Sequence, residues 1–383
     1  MSNHKTYDAI VIGLGGWGSA ALYQLARRGL SVCGVEQYGV GHDRGSSHGD
    51  SRIIRMAYFM HPDYVPVLRR AYELWRELEA ASGARLMTLN GLLCLGEADS
   101  LLIRGLERCY AEHSIEHERL TPAEAMRRYP QFAVPADAAC YFDPFGGFLR
   151  PDACVRAHVA CAGQAGATIH ADEPLLSLTQ ESGGVVVQTS RQTLHARKAV
   201  VAAGAYTNQV LREYGRSPIQ AVRKVLFWYR TTAGASFAPP DFPTWIADFD
   251  GFGTTAHFYG FPTLDGALVK AAEDTGGLPI EAPQDVERGL LPEDEPRLRE
   301  FLERLFPGRI EGRAQFKTCL YEQSADRDFI VDVHPRAPDV IVAAGGSGHG
   351  FKFCSVIGEM AADLVQHGHS PLRPEIFAAR DRL

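Results

Sequence analysis

No apolar run in the chain approaches the roughly 18 residues that a membrane-spanning helix needs, so no such helix is expected. There is also no C-x-x-C pair. The eight cysteines stand scattered at positions 33, 94, 109, 140, 154, 161, 319 and 354, without zinc-ligand spacing, and no metal is expected. In a reducing compartment such thiols are mostly small buried apolar residues. Positive charge is not in excess either. Lys and Arg total 39 against 46 Asp and Glu, a net charge of -7, which disfavours a nucleic-acid partner while leaving room for a local basic pocket. No internal repeat or low-complexity tract is visible. The polar residues 1–8 carry no signal-peptide pattern, and the closing Arg380-Asp381-Arg382-Leu383 matches no organelle address. The expectation is a cytoplasmic protein with no membrane or nucleic-acid partner.

What is present is an ordinary globular composition, 45% hydrophobic and 22% charged. At about 100–200 residues per domain, 383 residues suggest two or three domains. The first forty residues are the most legible. Ala9 to Ile12 is a β-branched run suited to a buried parallel strand. Gly13-Leu14-Gly15-Gly16-Trp17-Gly18 follows, then a helical stretch from Ser19 to Arg28 and a second strand from Leu30 to Val35, closed by Glu36. Gly13, Gly15 and Gly18 fit G-x-G-x-x-G: one glycine for the turn, one for backbone approach to a pyrophosphate, one for helix–strand packing. The helix N-terminus favours an anion, and Glu36 stands where a carboxylate accepts from ribose hydroxyls.

This motif alone does not choose between NAD and FAD. Two further features favour FAD. Ala199 to Ala205 runs from a strand into Gly204, a return to the nucleotide, and Gly345-Gly346-Ser347-Gly348-His349-Gly350 lies between a strand and a helix, able to bring backbone N–H groups near a flavin ring. Between these segments the periodicity predicts helices over 67–81, 150–166, 297–305 and 355–367, and a hairpin over 174–195 around Glu181-Ser182-Gly183-Gly184. It also predicts strands over 91–96, 198–203, 329–333 and 340–343. A helix start is marked by Thr121-Pro122-Ala123-Glu124, and strand-like runs alternate with turns from Val222 to Lys270. Residues 280–296 read as a surface connection rich in proline and acid. The fold class is α/β, with a Rossmann-like FAD-binding domain assembled from 1–85, 146–218 and 320–383. Residues 86–145 and 219–319 form a catalytic domain.

More specific segments follow. Ser46-Ser47-His48-Gly49-Asp50-Ser51-Arg52-Ile53-Ile54-Arg55, Cys319-Leu320-Tyr321, Asp328-Phe329-Ile330-Val331-Asp332 and Ser347-Gly348-His349-Gly350-Phe351-Lys352-Phe353 appear in that order, with Val222-Arg223-Lys224-Val225 and Tyr259-Gly260-Phe261-Pro262 between them. Together they resemble the monomeric sarcosine oxidase family, which includes N-methyltryptophan oxidase and the peroxisomal sarcosine/pipecolate oxidases. The likeness runs from about residue 6 to the C-terminus. It implies a catalytic domain with a mixed, largely antiparallel sheet, and FAD attached through an 8α-S-cysteinyl bond at Cys319. Ser47, His48 and Arg52 match residues near the flavin, where a cation stabilises negative charge on the ring. Gly346, Gly348 and Lys352 match the C-terminal cofactor loop. Arg55 and Lys352 match a clamp for the substrate carboxylate. Tyr259, Tyr321, Gly348 and His349 match pocket residues, with Tyr259 and His349 beside the chemistry. Lys270 matches the lysine on the opposite flavin face that favours electron transfer to O₂. Its apolar neighbours Leu268, Val269, Ala271 and Ala272 argue that this charge has a purpose.

The implied activity is oxidation of a secondary α-amino acid, sarcosine or another N-methyl amino acid, with O₂ as acceptor and H₂O₂ as product, by a monomer. The amine reacts as the neutral form, so activity should rise with pH. Alternatives are a pipecolate- or proline-type cyclic amino acid oxidase, a flavin dehydrogenase with another acceptor, and a non-catalytic flavin-binding or RNA-modification-associated protein. Two positions depart from the family pattern. Asp274 stands where sarcosine oxidases have histidine, and Phe59-Met60-His61 replaces a small glycine-rich turn. Side chains alternate along a strand, which brings Asp274 within reach of either Lys270 or a cationic substrate amine. The segment Asp274-Thr275-Gly276-Gly277 also reads as an exposed turn.

Overall fold

The computed structural model describes residues 6–215, 219–232, 236–249, 257–264 and 266–383. The β-branched opening forms the strand Thr6–Ile12, which lies between Val32–Val35 and Thr193–Val201, parallel to both. Thr168–His170 extends the sheet in parallel beyond Val32–Val35, and Ala337–Ala344 joins Thr193–Val201 on its other side, also in parallel. Helices Gly16–Arg27, Pro151–Gln164 and Cys354–His367 bury their apolar faces on this sheet together with Tyr64–Ser82.

The expected hairpin is found as Leu175–Glu181 and Gly184–Thr189. The sequence reading separates its last residues from the strand at 198–203, but one strand, Thr193–Val201, serves both. It pairs antiparallel with Gly184–Thr189 and parallel with Thr6–Ile12. The capping box forms as read: Thr121 Oγ1 accepts from Glu124 N at 3.2 Å, and the Glu124 carboxylate accepts from Thr121 N at 2.8 Å.

A second sheet runs Leu278–Ile280, Gln220–Thr231, Leu268–Glu273, His257–Phe261, Thr244–Asp248, Leu92–Gly96, Ala139–Asp143 and Glu118–Leu120, with Ile310–Gln323 on the other side of Gln220–Thr231. All its pairs are antiparallel except Thr244–Asp248 with Leu92–Gly96. Ile310–Gln323 stays paired to its last residue, with Gln220 opposite Gln323, so it continues past position 319 within this sheet. Arg52–Ile54, Gly147–Leu149 and Met87–Thr88 form a separate small antiparallel sheet.

The helix Leu101–His113 escapes the sequence reading, as does the single turn Thr207–Val210. Gly105 interrupts the helical signal of the first. The reason for that glycine is tertiary: a Cβ there would sit 2.0 Å from the backbone oxygen of Phe59. Among the described residues no helix is long and apolar enough to cross a membrane.

The acidic connection over 280–296 is fixed by a buried arginine. Arg223 donates to Asp294 through both terminal nitrogens at 2.6 and 2.8 Å, and to the carbonyls of Glu287 and Gly289 at 2.7 Å each. Burial opposes the Asp294 charge, but Arg223 and the Leu291 amide outweigh it and hold its carboxyl below the usual range. Breaking a buried pair by removing one partner costs about 3–5 kcal/mol. Arg223→Met should therefore lower the urea midpoint of unfolding by a corresponding amount. Asp294's folded value is depressed, so its contribution is present above the unfolded carboxylate pKa of about 3.9 and lost as pH falls below it. That part of the acid sensitivity should shrink in the variant; an unchanged midpoint and acid profile would show the pair to be dispensable.

Candidate active site

The glycine-rich turn after Thr6–Ile12 opens an elongated cavity. Gly13 has φ +87° and its Cβ would meet the Ala202 oxygen at 2.6 Å. At Gly18 a Cβ would lie 1.7 Å from the Gly13 oxygen. These two glycines are demanded by the protein's own packing. Gly15 is different: a Cβ there would meet only Ser47 Oγ, at 3.6 Å, so its missing side chain leaves open space in the cavity. Gly16 N, at the start of the helix, donates to Ser47 Oγ at 2.9 Å. Glu36 is buried at the end of Val32–Val35 and accepts from Leu14 N at 2.7 Å and Tyr38 N at 3.0 Å, with His42 Nε2 3.3 Å away. Gly204, Gly346 and Gly348 line the same cavity. An open glycine at a helix N-terminus, with a buried acid one strand away, fits a dinucleotide. Trp17 Nε1 donates to the Gly350 oxygen at 3.0 Å, locking the first helix to the C-terminal loop.

A smaller cavity adjoins the first. Arg52, Tyr321, Gly348 and Phe351 line both, and form their common wall. Eight residues singled out from the sequence meet around the smaller cavity: Arg52, Arg55, Tyr259, Asp274, Tyr321, Gly348, His349 and Lys352. The small sheet positions two of them, because Arg52 starts the strand Arg52–Ile54 and Arg55 follows its end. Arg55 and Lys352 are buried cations, 5% exposed each, on facing sides of Tyr58 in sequence but both against its ring, at 4.9 and 5.4 Å. Arg55 Nε has no hydrogen-bond partner. Lys352 Nζ donates to the His349 oxygen at 2.7 Å, and burial together with Arg55 holds its pKa well down. Two buried cations with unspent donors make a site for an anion.

Asp274 is not an exposed turn residue. It lines this cavity and accepts from Tyr321 OH at 3.2 Å. It also does not meet Lys270, whose ammonium lies elsewhere. Burial holds the Tyr321 and Tyr259 phenols protonated, the latter pushed up to about 12. His349 has both ring nitrogens engaged, Nε2 with the Arg327 oxygen at 3.0 Å and Nδ1 with Tyr58 OH. Burial, with Lys352 next in weight, keeps it neutral, so Nε2–H donates and Nδ1 accepts.

Lys270 lies on a separate cavity with Asp50, Ser51, Arg150 and Asp152. Its neighbours across the sheet are Trp228 and Phe261, whose rings are 5.5 and 4.8 Å from Nζ. Nζ donates to the Gly49 and Ser51 oxygens at 2.6 Å each and reaches Ser51 Oγ at 3.4 Å. Burial, then Arg52, pushes its pKa well down. His48 is buried, lines none of the three cavities, and has no partner on either nitrogen. Burial first, then Arg52, Lys270 and Lys317, depress its pKa to about 2, so its ring is held neutral beside the Arg52 cation. All eight cysteines are buried and free, and Cys319 is set apart by the Arg52 guanidinium 3.4 Å from its sulfur.

The sequence reading missed Ile53, Ile246, His257 and Phe351 as cavity walls. His257 carried a signal, since it stands two residues before Tyr259 on one strand and so shares its face. Ile246 carried none; it arrives from the neighbouring strand, opposite Tyr259.

Comparison with known proteins agrees with this geometry. The sequence pattern of the DAO family, FAD dependent oxidoreductase, matches residues 8–364. The chain belongs to this family of FAD dependent oxidoreductases. It is 38% identical over 368 residues to monomeric sarcosine oxidase from Streptomyces avermitilis, covering 95% of this chain and 94% of that one. It is 34% identical over 360 residues to N-methyl-L-tryptophan oxidase from Salmonella typhi, covering 94% of each. Among solved structures it is similar to NikD, an unusual amino acid oxidase essential for nikkomycin biosynthesis. The TM-score is 0.87 at 26% identity, over 98% of this chain and 97% of the other.

Proposed function

We propose that this FAD-dependent oxidoreductase oxidises a secondary α-amino acid at the carbon beside nitrogen, with O₂ as the final acceptor. The observation that carries this reading is the pair of buried cations, Arg55 and Lys352, on a cavity that shares a wall with the dinucleotide cavity. FAD, held by the glycine turns that line the dinucleotide cavity, would supply a two-electron acceptor there, with O₂ as the final acceptor and H₂O₂ as the product. Arg55 and Lys352 hold the substrate carboxylate. Asp274, an anion on the same cavity, faces the cationic amine before it loses its proton. Tyr259 and Tyr321 present neutral hydroxyls, and His349, fixed at both nitrogens, shapes the wall rather than moving a proton. The amine reacts as the free base, and the product imine hydrolyses after release or stays cyclic.

In this reading Gly13, Gly15, Gly18, Glu36, Ser47, Gly204, Gly346 and Gly348 hold the cofactor, and Cys319 bonds to its 8α carbon. The parallel sheet with its helices is the cofactor domain, and the second sheet is the catalytic one. Lys270, on its own cavity, supplies positive charge where O₂ is reduced. The anion Asp274 and the bulky Phe59 and Met60 on the cavity favour an N-alkyl or ring substrate larger than sarcosine. Rates of peroxide release across sarcosine, larger N-methyl amino acids, pipecolate and proline test that preference. A profile with sarcosine as the best substrate would reverse it.

Three variants examine the roles separately. Losing one partner of a buried charge contact costs about 2–5 kcal/mol, or roughly 30- to 5,000-fold. Arg55→Ala should lower kcat/KM for the amino acid by that factor and leave an amine without a carboxylate much less affected; equal losses would remove the clamp. Acid precipitation should carry yellow colour into the wild-type pellet and leave it in the supernatant, or absent, for Cys319→Ser. Colour released from the wild type would mean the flavin is not covalent. Lys270→Met should slow reoxidation by O₂ by about 100-fold or more, each ~1.36 kcal/mol being tenfold, while anaerobic reduction by substrate changes little. A collapse of reduction with normal reoxidation would assign Lys270 to the other half-reaction.

A further inference from the structure

Glu322 follows Tyr321 on the strand Ile310–Gln323 and is the acid that lines the dinucleotide cavity at its C-terminal loop. Neither the sequence motifs nor the mechanism above gives it a role. Its two oxygens are unequal. One lies against the loop: a Cβ on Gly346 would meet Oε1 at 3.0 Å, and the Gly345 and Gly346 amides favour the charged carboxylate. The other, Oε2, is buried with no hydrogen-bond partner, and lies toward the turn at Gly204, where a Cβ would be 3.8 Å from it. The carboxyl thus bridges two glycines that both line the cofactor cavity, with one oxygen unspent. A buried polar atom without a partner is destabilising, so a free Oε2 is a poor end state for the protein alone.

We propose that Glu322 is a further cofactor-binding residue, whose Oε2 hydrogen-bonds to bound FAD and whose carboxyl changes protonation state in contact with it. The proposal rests on the FAD-binding reading and is independent of which substrate is oxidised. The groups around Glu322 carry no charge near neutral pH. Trp17 and Gly346 have none, burial holds the Cys354 thiol and the neighbouring Tyr321 phenol well up, and Tyr206, on the turn after Gly204, is likewise pushed up by burial. Among the described residues no cation acts on the carboxylate to hold it ionised. Burial raises its pKa to about 8, against the two glycine amides that pull it down. A neutral carboxyl at pH 7 has a proton to donate to a flavin or ribityl oxygen, and above its pKa it can only accept. Lys270 and Lys352, on the neighbouring cavities, are also shifted downward by burial, so the assignment needs a variant.

The test is a pH titration of the visible absorption of the purified holoenzyme, without substrate. The wild type should show one alkaline step in the position of the flavin bands. Glu322→Gln keeps an acceptor for the two amides and a donor at the second position. It should retain FAD and show the wild type's low-pH spectrum throughout, with that step lost. A wild type without the step, or a step that persists unchanged in Glu322→Gln, would overturn the proposal. Should Glu322→Gln fail to hold flavin, Glu322→Asp, whose carboxyl is withdrawn by one methylene, should move the midpoint; an unmoved midpoint overturns it equally. Because the readout needs flavin and no amine, a wrong substrate assignment would leave this result intact. A chain that holds no flavin would instead refute the cofactor reading itself.

Discussion

One guanidinium joins the parts of this site. Arg52 donates to the Ser46 oxygen at 2.9 Å, to the Ser51 oxygen at 3.1 Å and to Cys319 Sγ at 3.4 Å. Ser46 belongs to the segment after the first βαβ unit, Arg52 itself to the small sheet, and Cys319 to the second large sheet. The wall shared by the two cavities exists because these three pieces of chain are held together there. Lys270 depends on the same segment. It shares the Ser51 oxygen with Arg52, so the two cations are set at one backbone group rather than independently. Burial and then Arg52 push the Lys270 pKa down, and Asp50, Cys319 and Asp152 oppose them.

The charge balance of the interior follows from this arrangement. Arg55, Lys270 and Lys352 are buried, and Asp274 is the acid on the smaller cavity. Burying cations without matching anions is costly. It is tolerable where backbone carbonyls and aromatic faces take up part of the charge, as Trp228 and Phe261 do for Lys270 and Tyr58 for Arg55 and Lys352. What remains at Arg55 and Lys352 is an unspent demand for an anion. On the proposed function a substrate carboxylate would meet it, and binding energy in this cavity would then be concentrated on the end of the substrate that does not react.

Much of this was legible from residues near one another in the chain. The Gly13–Gly18 turn, the capping box at Thr121 and the strand-to-glycine run at 199–204 each declare their local geometry, because the physical requirement and the residues that meet it are contiguous. The motif residues of the site were legible only through family likeness. Arg55 and Lys352 come together around a Tyr58 that no spacing rule would have linked to either. Other features hid for tertiary reasons. The helix Leu101–His113 carries Gly105 because Phe59 presses on it, so a contact that shapes the substrate cavity weakened the helix's own signal. The strand Thr193–Val201 looked like two elements because it changes partners, not conformation, midway. Glu322 was invisible for the opposite reason. An acid beside a tyrosine on a strand is unremarkable until the topology lays it against two glycines of a cavity wall.

The separation of the cavities sets a constraint on turnover. Arg55, Lys352 and Asp274 face one cavity, while Lys270 faces another lined by Asp50, Ser51, Arg150 and Asp152. The strand Leu268–Glu273 with the residue that follows it divides them: Lys270 reaches Gly49 and Ser51, and Asp274, four residues on, reaches Tyr321. Alternation along a strand would by itself send both side chains the same way. They do go the same way: Ala272, between them, is opposite Tyr259 and packs with Cys319 and Tyr321, so Lys270 and Asp274 stand on one face and are parted along it. On the proposed function, this one short strand with the residue after it would give amine oxidation and oxygen reduction a charged group each, Asp274 at one cavity and Lys270 at the other, with Ala272 between them.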